Sequence, residues 1–389
     1  MRPVFIAGCG LTAVGEHWER GLEQLAVDAL QAAQADAPPA RIQALYVANA
    51  LAGDVAGQAQ LGAALATAAD LGPIEAWRVD AAGAGSGVAL RLAYLAVASG
   101  AYDCVAVLGV EKVTDVLDGP LERALALSLD AATEAEQGLT LTGGWALLQQ
   151  RYSHEHGYAP ADFALFPVNA HQHGMKSAHA MYRFPITAAK VAGAAPVASP
   201  ISLLDSSTVA DGAAAIIVMA GGIAREGSQP AIRIAGSAVS TTRLSLASRP
   251  DPLWLAAAAD STAAALRAAG RTVQQIDVAE FSDQHGIVAA LSLEANGFAP
   301  RGEAPRWAVD GRIAVGGELP LATAGGCKAR GDTVGALGMY QIVELVAQLR
   351  GTAGANQVAG ARTALAQCLG GLGATAATHI LTRDDDGAS

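Results

Sequence analysis

The sequence of 389 residues has few aromatic and few charged side chains, which make up 5% and 16% of the chain. Hydrophobic residues make up 52%, which excludes the disordered class of proteins. Acidic residues outnumber basic ones by 36 to 25, and the net charge of −11 argues against non-specific binding to nucleic acid or to an anionic membrane. With 44 glycines and so few aromatics, we expect small aliphatic side chains on closely packed backbones.

Cysteines are also scarce, and none of the four (Cys9, Cys104, Cys327 and Cys368) belongs to a Cys-x-x-Cys pair. This spacing indicates neither a zinc ribbon nor a disulfide scaffold, so we expect reduced thiols in a cytoplasmic protein. No strongly apolar run of about 18 residues is free of charge, and the N-terminus resembles a strand more than a signal peptide. We therefore expect a soluble protein with no membrane contact.

Two further motifs carry little chemistry. The histidine pairs at 154/156 and 171/173 have no third ligand at a regular spacing, so we expect surface histidines and no metal site. None of the Gly-Gly pairs forms the Gly-x-Gly-x-x-Gly turn of a dinucleotide site.

Short apolar runs alternate with Ala- and Leu-rich amphipathic stretches. We predict strands at residues 4–7, 44–48 and 104–108, and helices at residues 22–35, 87–99 and 334–349. This alternation predicts an α/β fold whose sheet is mostly parallel and covered by helices on both faces.

The strand pattern of the first half recurs in the second. Residues 4–8 (Val-Phe-Ile-Ala-Gly) are matched by residues 232–236 (Ile-Arg-Ile-Ala-Gly), and residues 42–47 are matched by residues 276–281 at nearly the same separation. An Ala-rich stretch lies between the two runs of each copy. The repeat predicts two copies of one α/β unit.

We place the two halves at residues 1–225 and 226–389. Residues from about 118 to 200 interrupt the first half, since they are richer in His, Tyr, Met and Pro. We interpret them as an inserted loop domain over one face of the first copy, where binding surface is often found.

Five sequence blocks, in the same order along the chain, resemble the conserved blocks of the thiolases, above all those of the sterol-carrier and archaeal branch. They are residues 78–115, 211–215 (Asp-Gly-Ala-Ala-Ala), 280–285, 325–338 and 368–373 (Cys-Leu-Gly-Gly-Leu-Gly). The resemblance spans nearly the whole chain. It implies a duplicated thiolase fold with five layers, αβαβα, and an inserted loop domain.

The resemblance also implies that the principal catalytic side chains are replaced. Gly83 falls at the nucleophilic cysteine, Asp332 at the histidine of the Gly-His-Pro motif, and Ser282 at the histidine of the His-Asp-x-Phe motif. An acyl-enzyme needs a thiolate, which glycine cannot supply. We therefore expect chemistry other than that of an ordinary thiolase.

By position in the family, the N–H groups of Gly83 and Gly370 would hold the oxygen of a thioester. A glycine-rich turn that enters a helix favours a negatively charged oxygen, and such donors need no nucleophile beside them. Alternatively, the glycines from 83 to 87 only permit close packing beneath the sheet.

The candidate catalytic side chains are Asp332, His285, Ser282 and Cys368. Asp332 would act as an acid or base, or would cap a helix. His285 falls where the family has an acyl-pocket phenylalanine; it would act as a base, or be a buried, hydrogen-bonded histidine. Cys368 falls where some thiolases have an acid/base thiol; alternatively, it is only a small buried residue. Cys327, in the loop before Asp332, would lie near the same pocket. The close spacing of Ser282 and His285 disfavours a triad with Asp332.

Three functions remain open on this sequence. The first is cleavage or formation of a C–C bond near an acyl-CoA thioester, of retro-aldol type and without an acyl-enzyme. The second is an inactive thiolase-like subunit that binds CoA or a partner, and the third is an acyltransferase with Cys368 or Cys327 as a displaced nucleophile. The resemblance implies a coenzyme A thioester as substrate and no permanently bound cofactor. It also implies a homodimer and a small partner subunit with an OB-fold and a zinc ribbon.

Overall fold

The computed structural model describes residues 2–224, 226–227 and 229–383. Its strands are β1 Val4–Leu11, β2 Ala44–Ala48, β3 Glu75–Val79, β4 Cys104–Glu111, β5 Pro196–Ala198, β6 Ile201–Ser202, β7 Gly212–Ala220, β8 Ile232–Thr241, β9 Val278–Phe281, β10 Thr363–Gly370 and β11 Thr375–Arg383. Its α-helices are α1 Leu22–Asp36, α2 Ala52–Val55, α3 Leu61–Ala68, α4 Gly85–Ser99, α5 Asp118–Ala126, α6 Leu141–His156, α7 Leu165–Gly174, α8 Ala188–Ala192, α9 Gly221–Ala224, α10 Ala256–Ala269, α11 Gly286–Ala295, α12 Ala304–Val309 and α13 Leu337–Arg350.

Within the described residues, the main sheet has nine strands in the order β3-β2-β4-β7-β1-β8-β11-β10-β9. Only β2 with its two neighbours and β9 with β10 pair in parallel, whereas the other neighbours are antiparallel. The prediction of a mostly parallel sheet is therefore wrong. Only four residues separate β10 from β11, and so short a connection joins antiparallel strands, whereas a parallel pair needs a long crossover.

The strand order reflects the repeat. From the centre outwards, β1-β7-β4-β2 in one direction corresponds to β8-β11-β10-β9 in the other. The matched runs at residues 4–8 and 232–236 lie on β1 and β8, which meet at the centre through the pairs Phe5 with Arg233 and Ile6 with Ile232. The prediction of a duplicated α/β fold is confirmed in this order. Residue 225, at the predicted boundary between the halves, lies outside the described residues.

Helices divide the molecule into the five expected layers. α4 and α13 lie in the middle and contact strands from both halves of the sheet. α1 and α3 cover the outer face of the first half, and α10 covers that of the second half. The segment Ala82–Ser99, which includes α4, is apolar and long enough to cross a membrane by composition, but half of it is buried and it forms part of the core.

Glycines at equivalent places in the two copies allow helices to lie directly on strands. A methyl group at Gly8 would overlap the carbonyl oxygen of Ala33 on α1, and one at Gly236 would overlap that of Ala265 on α10. This confirms the expectation of a core built on close backbone contacts.

The insertion contacts both halves, although we expected it over the first: α5 packs on α2 of the first half, whereas α6 and α7 pack against the second half. Trp145, Leu148 and Tyr152 of α6 share one apolar cluster with Ile287 and Leu291 of α11. The reason is that α6 and α7 carry large buried side chains, which fit against the broad apolar face of α11 and α12.

Candidate functional site

A cavity of about 170 Å³ opens at the turn before α4. Gly83 lies in its wall together with Gln284, Asp332 and Leu369, so both halves of the sequence contribute to it. The insertion supplies a mostly apolar part of the wall, which consists of Ala124, Leu125, Leu127, Ser128 and Leu141.

The structure brings the two predicted oxyanion glycines together. A methyl group at Gly83 would lie 2.5 Å from the carbonyl oxygen of Leu369, and one at Gly370 would lie 2.6 Å from that of Ala81. The turn at Gly83 and the loop after β10 therefore contact each other backbone to backbone. No acidic residue lies in the first turn of α4, so no carboxylate within that turn offsets the helix dipole. The exposed carboxylates of Asp54 and Asp80 also line the cavity.

Asp332 is buried and lines the cavity. Its Oδ1 accepts a hydrogen bond from the N–H of Val334 at 2.9 Å, and its Oδ2 accepts one from the hydroxyl of Ser207 at 3.4 Å. Burial raises the pKa of the Asp332 carboxyl, although Val334 and Arg330 oppose this effect. Asp332 therefore holds the turn before α13 and also presents a carboxyl with a raised pKa to the cavity.

Ser282 and His285 lie behind the cavity wall. Ser282 is fully buried, and its hydroxyl accepts a hydrogen bond from the N–H of Leu369 at 3.0 Å, which fixes the loop after β10. His285 is buried at the start of α11, where burial, helped by the charge of Lys328, lowers its pKa to about 3. Its Nδ1 has no hydrogen-bond partner among the described residues. Gln284, which lies between Ser282 and His285 in the sequence, lines the cavity instead.

Cys368 is also removed from the cavity wall. Its Sγ lies 3.7 Å from the carbonyl oxygen of Ala84, and methyl groups at Gly87 and Gly338 would lie 2.6 and 2.9 Å from it. Burial raises the pKa of the Cys368 thiol to about 12, so the thiol is neutral near pH 7. Such a thiol is a poor nucleophile.

Cys327 lies on the π-helical turn Gly326–Arg330 and is fully buried. Its N–H donates to the Oδ1 of Asp283 at 2.6 Å. Burial raises the pKa of its thiol well above that of an exposed cysteine. Neither this sulfur nor that of Cys368 lines the cavity at Gly83.

A layer of buried charges, which we did not predict from the sequence, lies behind Asp332. Arg330 is fully buried, and its Nη1 lies 2.7 Å from the Oε2 of Glu344 on α13. Lys328 is buried within the electrostatic range of Asp205 and Asp283, and burial lowers its pKa to about 8. The signal was available, since basic side chains are out of place in the glycine-rich, apolar segment 325–338.

Gln284 and Ser128 also line the cavity, and we predicted neither from the sequence. Gln284 lies in the block at residues 280–285, but nothing in the sequence shows which side chains of a turn face inwards. The expectation of surface histidines is wrong for one pair, since His171 and His173 are buried and their Nδ1 atoms lie 3.0 and 3.1 Å from backbone carbonyl oxygens.

Comparisons with known proteins agree with this architecture. The family model "Thiolase, N-terminal domain" matches residues 4–199, and "Thiolase C-terminal domain-like" matches residues 236–383. The chain is 36% identical over 385 residues to an acetyl-CoA acetyltransferase of Methanothermobacter thermautotrophicus, covering 98% of this chain and all of the relative. It is 31% identical to the benzoylsuccinyl-CoA thiolase subunit BbsB of Thauera aromatica, covering 92% of this chain and 91% of the relative.

Among solved structures, the chain resembles the Ltp2-ChsH2(DUF35) aldolase with a TM-score of 0.86 and 25% identity. That match covers 99% of this chain and 98% of the other. The two family models, the two full-length relatives and the five-layered architecture agree, and the chain belongs to the thiolase family.

Proposed function

We propose that this chain is a non-standard thiolase-like enzyme that cleaves or forms a C–C bond beside an acyl-CoA thioester, by retro-aldol chemistry and without a cysteine acyl-enzyme. The observation that carries the proposal is the cavity at Gly83. Its wall contains the turn before α4 and a buried carboxyl, and it contains no sulfur among the described residues.

Gly83 and Asp332 occupy, in this proposal, the positions of the family's nucleophilic cysteine and of one catalytic histidine. Leu369 supports the first assignment, because its carbonyl oxygen takes the space that a side chain at Gly83 would need. A site without room for a nucleophile can still stabilise charge, since backbone donors act on the developing oxyanion.

Asp332 acts as the base. Its carboxylate takes the hydroxyl proton of a β-hydroxyacyl-CoA, the bond between the α and β carbons breaks, and the β carbon leaves as part of a carbonyl compound. The electron pair forms the thioester enolate, whose oxygen is held by the N–H groups of Gly83 and Gly370. The enolate carbon then recovers the proton from Asp332. A raised pKa suits this role, because it makes the carboxylate a stronger base.

Ser282, His285 and Cys368 act on this site from behind the wall. Ser282 holds the N–H of Leu369 and so positions the loop that carries Gly370. His285 and Cys368 are buried outside the cavity wall and would act on the site only through the residues that they pack against. The aldolase relative supports bond cleavage, whereas the acetyltransferase relatives support only the acyl-CoA substrate class.

We propose two partners and a cytoplasmic location. A second copy would pair along β3, which is the free edge of the sheet in the first half. A small OB-fold and zinc-ribbon subunit would help to hold CoA; the aldolase named above has a DUF35 component. No cofactor besides the thioester substrate is needed for the chemistry proposed.

The test is incubation with a panel of acyl-CoA and β-hydroxyacyl-CoA thioesters, with products and intact protein followed by mass spectrometry. Cleavage without a covalent adduct supports the proposal. A stable acyl adduct would favour the displaced-cysteine acyltransferase, and CoA binding without turnover would favour the inactive subunit.

Substitution of Asp332 by Asn gives the sharper result. We expect cleavage to fall by at least about 100-fold, because general-base catalysis typically contributes that much. The matched control is Asp260→Asn, on the exposed face of α10, which should retain full activity. Full activity of the Asp332→Asn enzyme would remove this carboxyl from the mechanism.

A further inference from the structure

A second and larger cavity, of about 350 Å³, lies beside the C-terminal half of α13. It shares no lining residue with the cavity at Gly83. Ser177, His179 and Glu344 all line it, and Val343 and Ala347 give it an apolar side. A volume in this range suits a small ligand.

Three of these side chains form a continuous hydrogen-bonded chain. The Oγ of Ser177 lies 3.4 Å from the Nδ1 of His179, and the Nε2 of His179 lies 2.8 Å from the Oε1 of Glu344. A carboxylate accepts only, so in the neutral ring Nε2 carries the proton and Nδ1 keeps its lone pair toward the serine. The ring is thus held in the tautomer in which it can take a proton from Ser177.

Glu344 is held as a carboxylate by its surroundings. Burial, the largest effect, favours its neutral form, but Arg330 and His179 together outweigh burial, and the pKa of Glu344 is lowered. The Nη1 of Arg330 lies 2.7 Å from Oε2, so the second oxygen of the carboxylate is also fixed. Glu344 therefore serves as a positioning residue for the imidazole of His179.

The backbone beside Ser177 supplies a group for an oxyanion. Ala178 follows Ser177 and lines the same cavity, and its N–H has no acceptor among the residues that the structure describes. The N–H of the residue after a nucleophilic serine is a frequent oxyanion donor. Lys176 lies at the rim, where its charge would attract an acidic group of a ligand.

From this geometry we propose that Ser177 and His179, positioned by Glu344, form a second catalytic site that hydrolyses small carboxylic esters or thioesters. His179 takes the proton of the Ser177 hydroxyl as Oγ attacks the acyl carbon. The alcohol or thiol leaves with that proton. Water then attacks the acyl-serine, again through His179, to release the acid and restore the serine. The contact of 3.4 Å is long, but such bonds often shorten only when substrate is bound.

The test is labelling of the full chain with a fluorophosphonate probe, with the modified residue identified by peptide mass spectrometry. We expect an adduct at Ser177, none in Ser177→Ala, and labelling at least about 100-fold slower in His179→Gln because the base is lost. The matched control is Ser99→Ala, an exposed serine at the end of α4, which should label as wild type does. Thermal unfolding verifies that each variant is folded.

Two substrates separate the possible acyl donors. Release of p-nitrophenol from p-nitrophenyl acetate reports ester hydrolysis, and release of free thiol from acetyl-CoA reports thioester hydrolysis. Either activity, if lost in Ser177→Ala, supports the second site. An unlabelled wild-type protein, an adduct on another serine, or hydrolysis that survives in the folded Ser177→Ala variant would overturn it. None of these readouts depends on turnover at Gly83.

Discussion

Replacement of Gly83 by Ala tests whether the turn before α4 lacks room for any side chain at this position. The new methyl carbon would lie 2.5 Å from the carbonyl oxygen of Leu369, a distance at which backbone must move. Leu369 cannot move freely, because its N–H is held by Ser282 and its strand pairs with β9 and β11. Overpacking of this kind typically costs about 1–3 kcal/mol, so we expect a lower Tm in thermal unfolding.

The matched control is Gly119→Ala within α5, where an added methyl group meets nothing within 4 Å. Alanine favours a helix over glycine by up to about 1 kcal/mol, so this variant should be as stable as wild type or slightly more so. Gly83→Cys extends the test, since we expect it to be destabilised and to gain no acyl adduct with acetyl-CoA. A Gly83→Cys protein of wild-type stability that becomes acylated would refute the argument that this site lacks room for a nucleophile.

Three other predictions follow from buried groups. Cys368 should resist iodoacetamide at pH 8 in the native protein and react after unfolding, because burial raises its thiol pKa to about 12; rapid native labelling would contradict this. His285 has a folded pKa of about 3, below its ordinary value of 6.5, so the stability that it contributes is complete above pH 6.5 and is lost as the pH falls toward 3. His285→Phe should flatten that part of the curve of unfolding free energy against pH, and an unchanged slope would count against it. Arg330→Met should lower the unfolding free energy by about 3–5 kcal/mol in denaturant titrations, because the buried Glu344 carboxylate loses its arginine and keeps only the His179 contact. A loss below about 1 kcal/mol would show that the Arg330–Glu344 pair is not isolated from water.

The fold could be predicted from the sequence because it depends on repeated local patterns. The apolar runs at residues 4–7, 44–48 and 104–108 each lie within a strand of the structure. The direction of β7 and β11 could not be predicted, because periodicity specifies which face a residue occupies and carries no information on strand direction.

The candidate site was predicted in part. Gly83 and Asp332 line one cavity, and Gly370 lies against the turn that precedes Gly83, so the blocks that carry them are neighbours in the structure. The roles of these residues stay predictions. The sequence could not show that Gln284 lines the cavity and that Ser282 and His285 do not, because adjacent side chains of a turn point in different directions. The burial of Cys368 depends on Gly87 and Gly338, which are distant in sequence.

The insertion holds the two halves of the molecule together through contacts that do not depend on the peptide linking the halves. It leaves the first half after β4 and packs α6 and α7 on α11 and α12 of the second half before the chain returns to β7. α4 and α13 also contact strands from both halves, so many contacts besides the linking peptide hold the two halves together. Two separately synthesised halves would therefore have the contacts needed to reassemble.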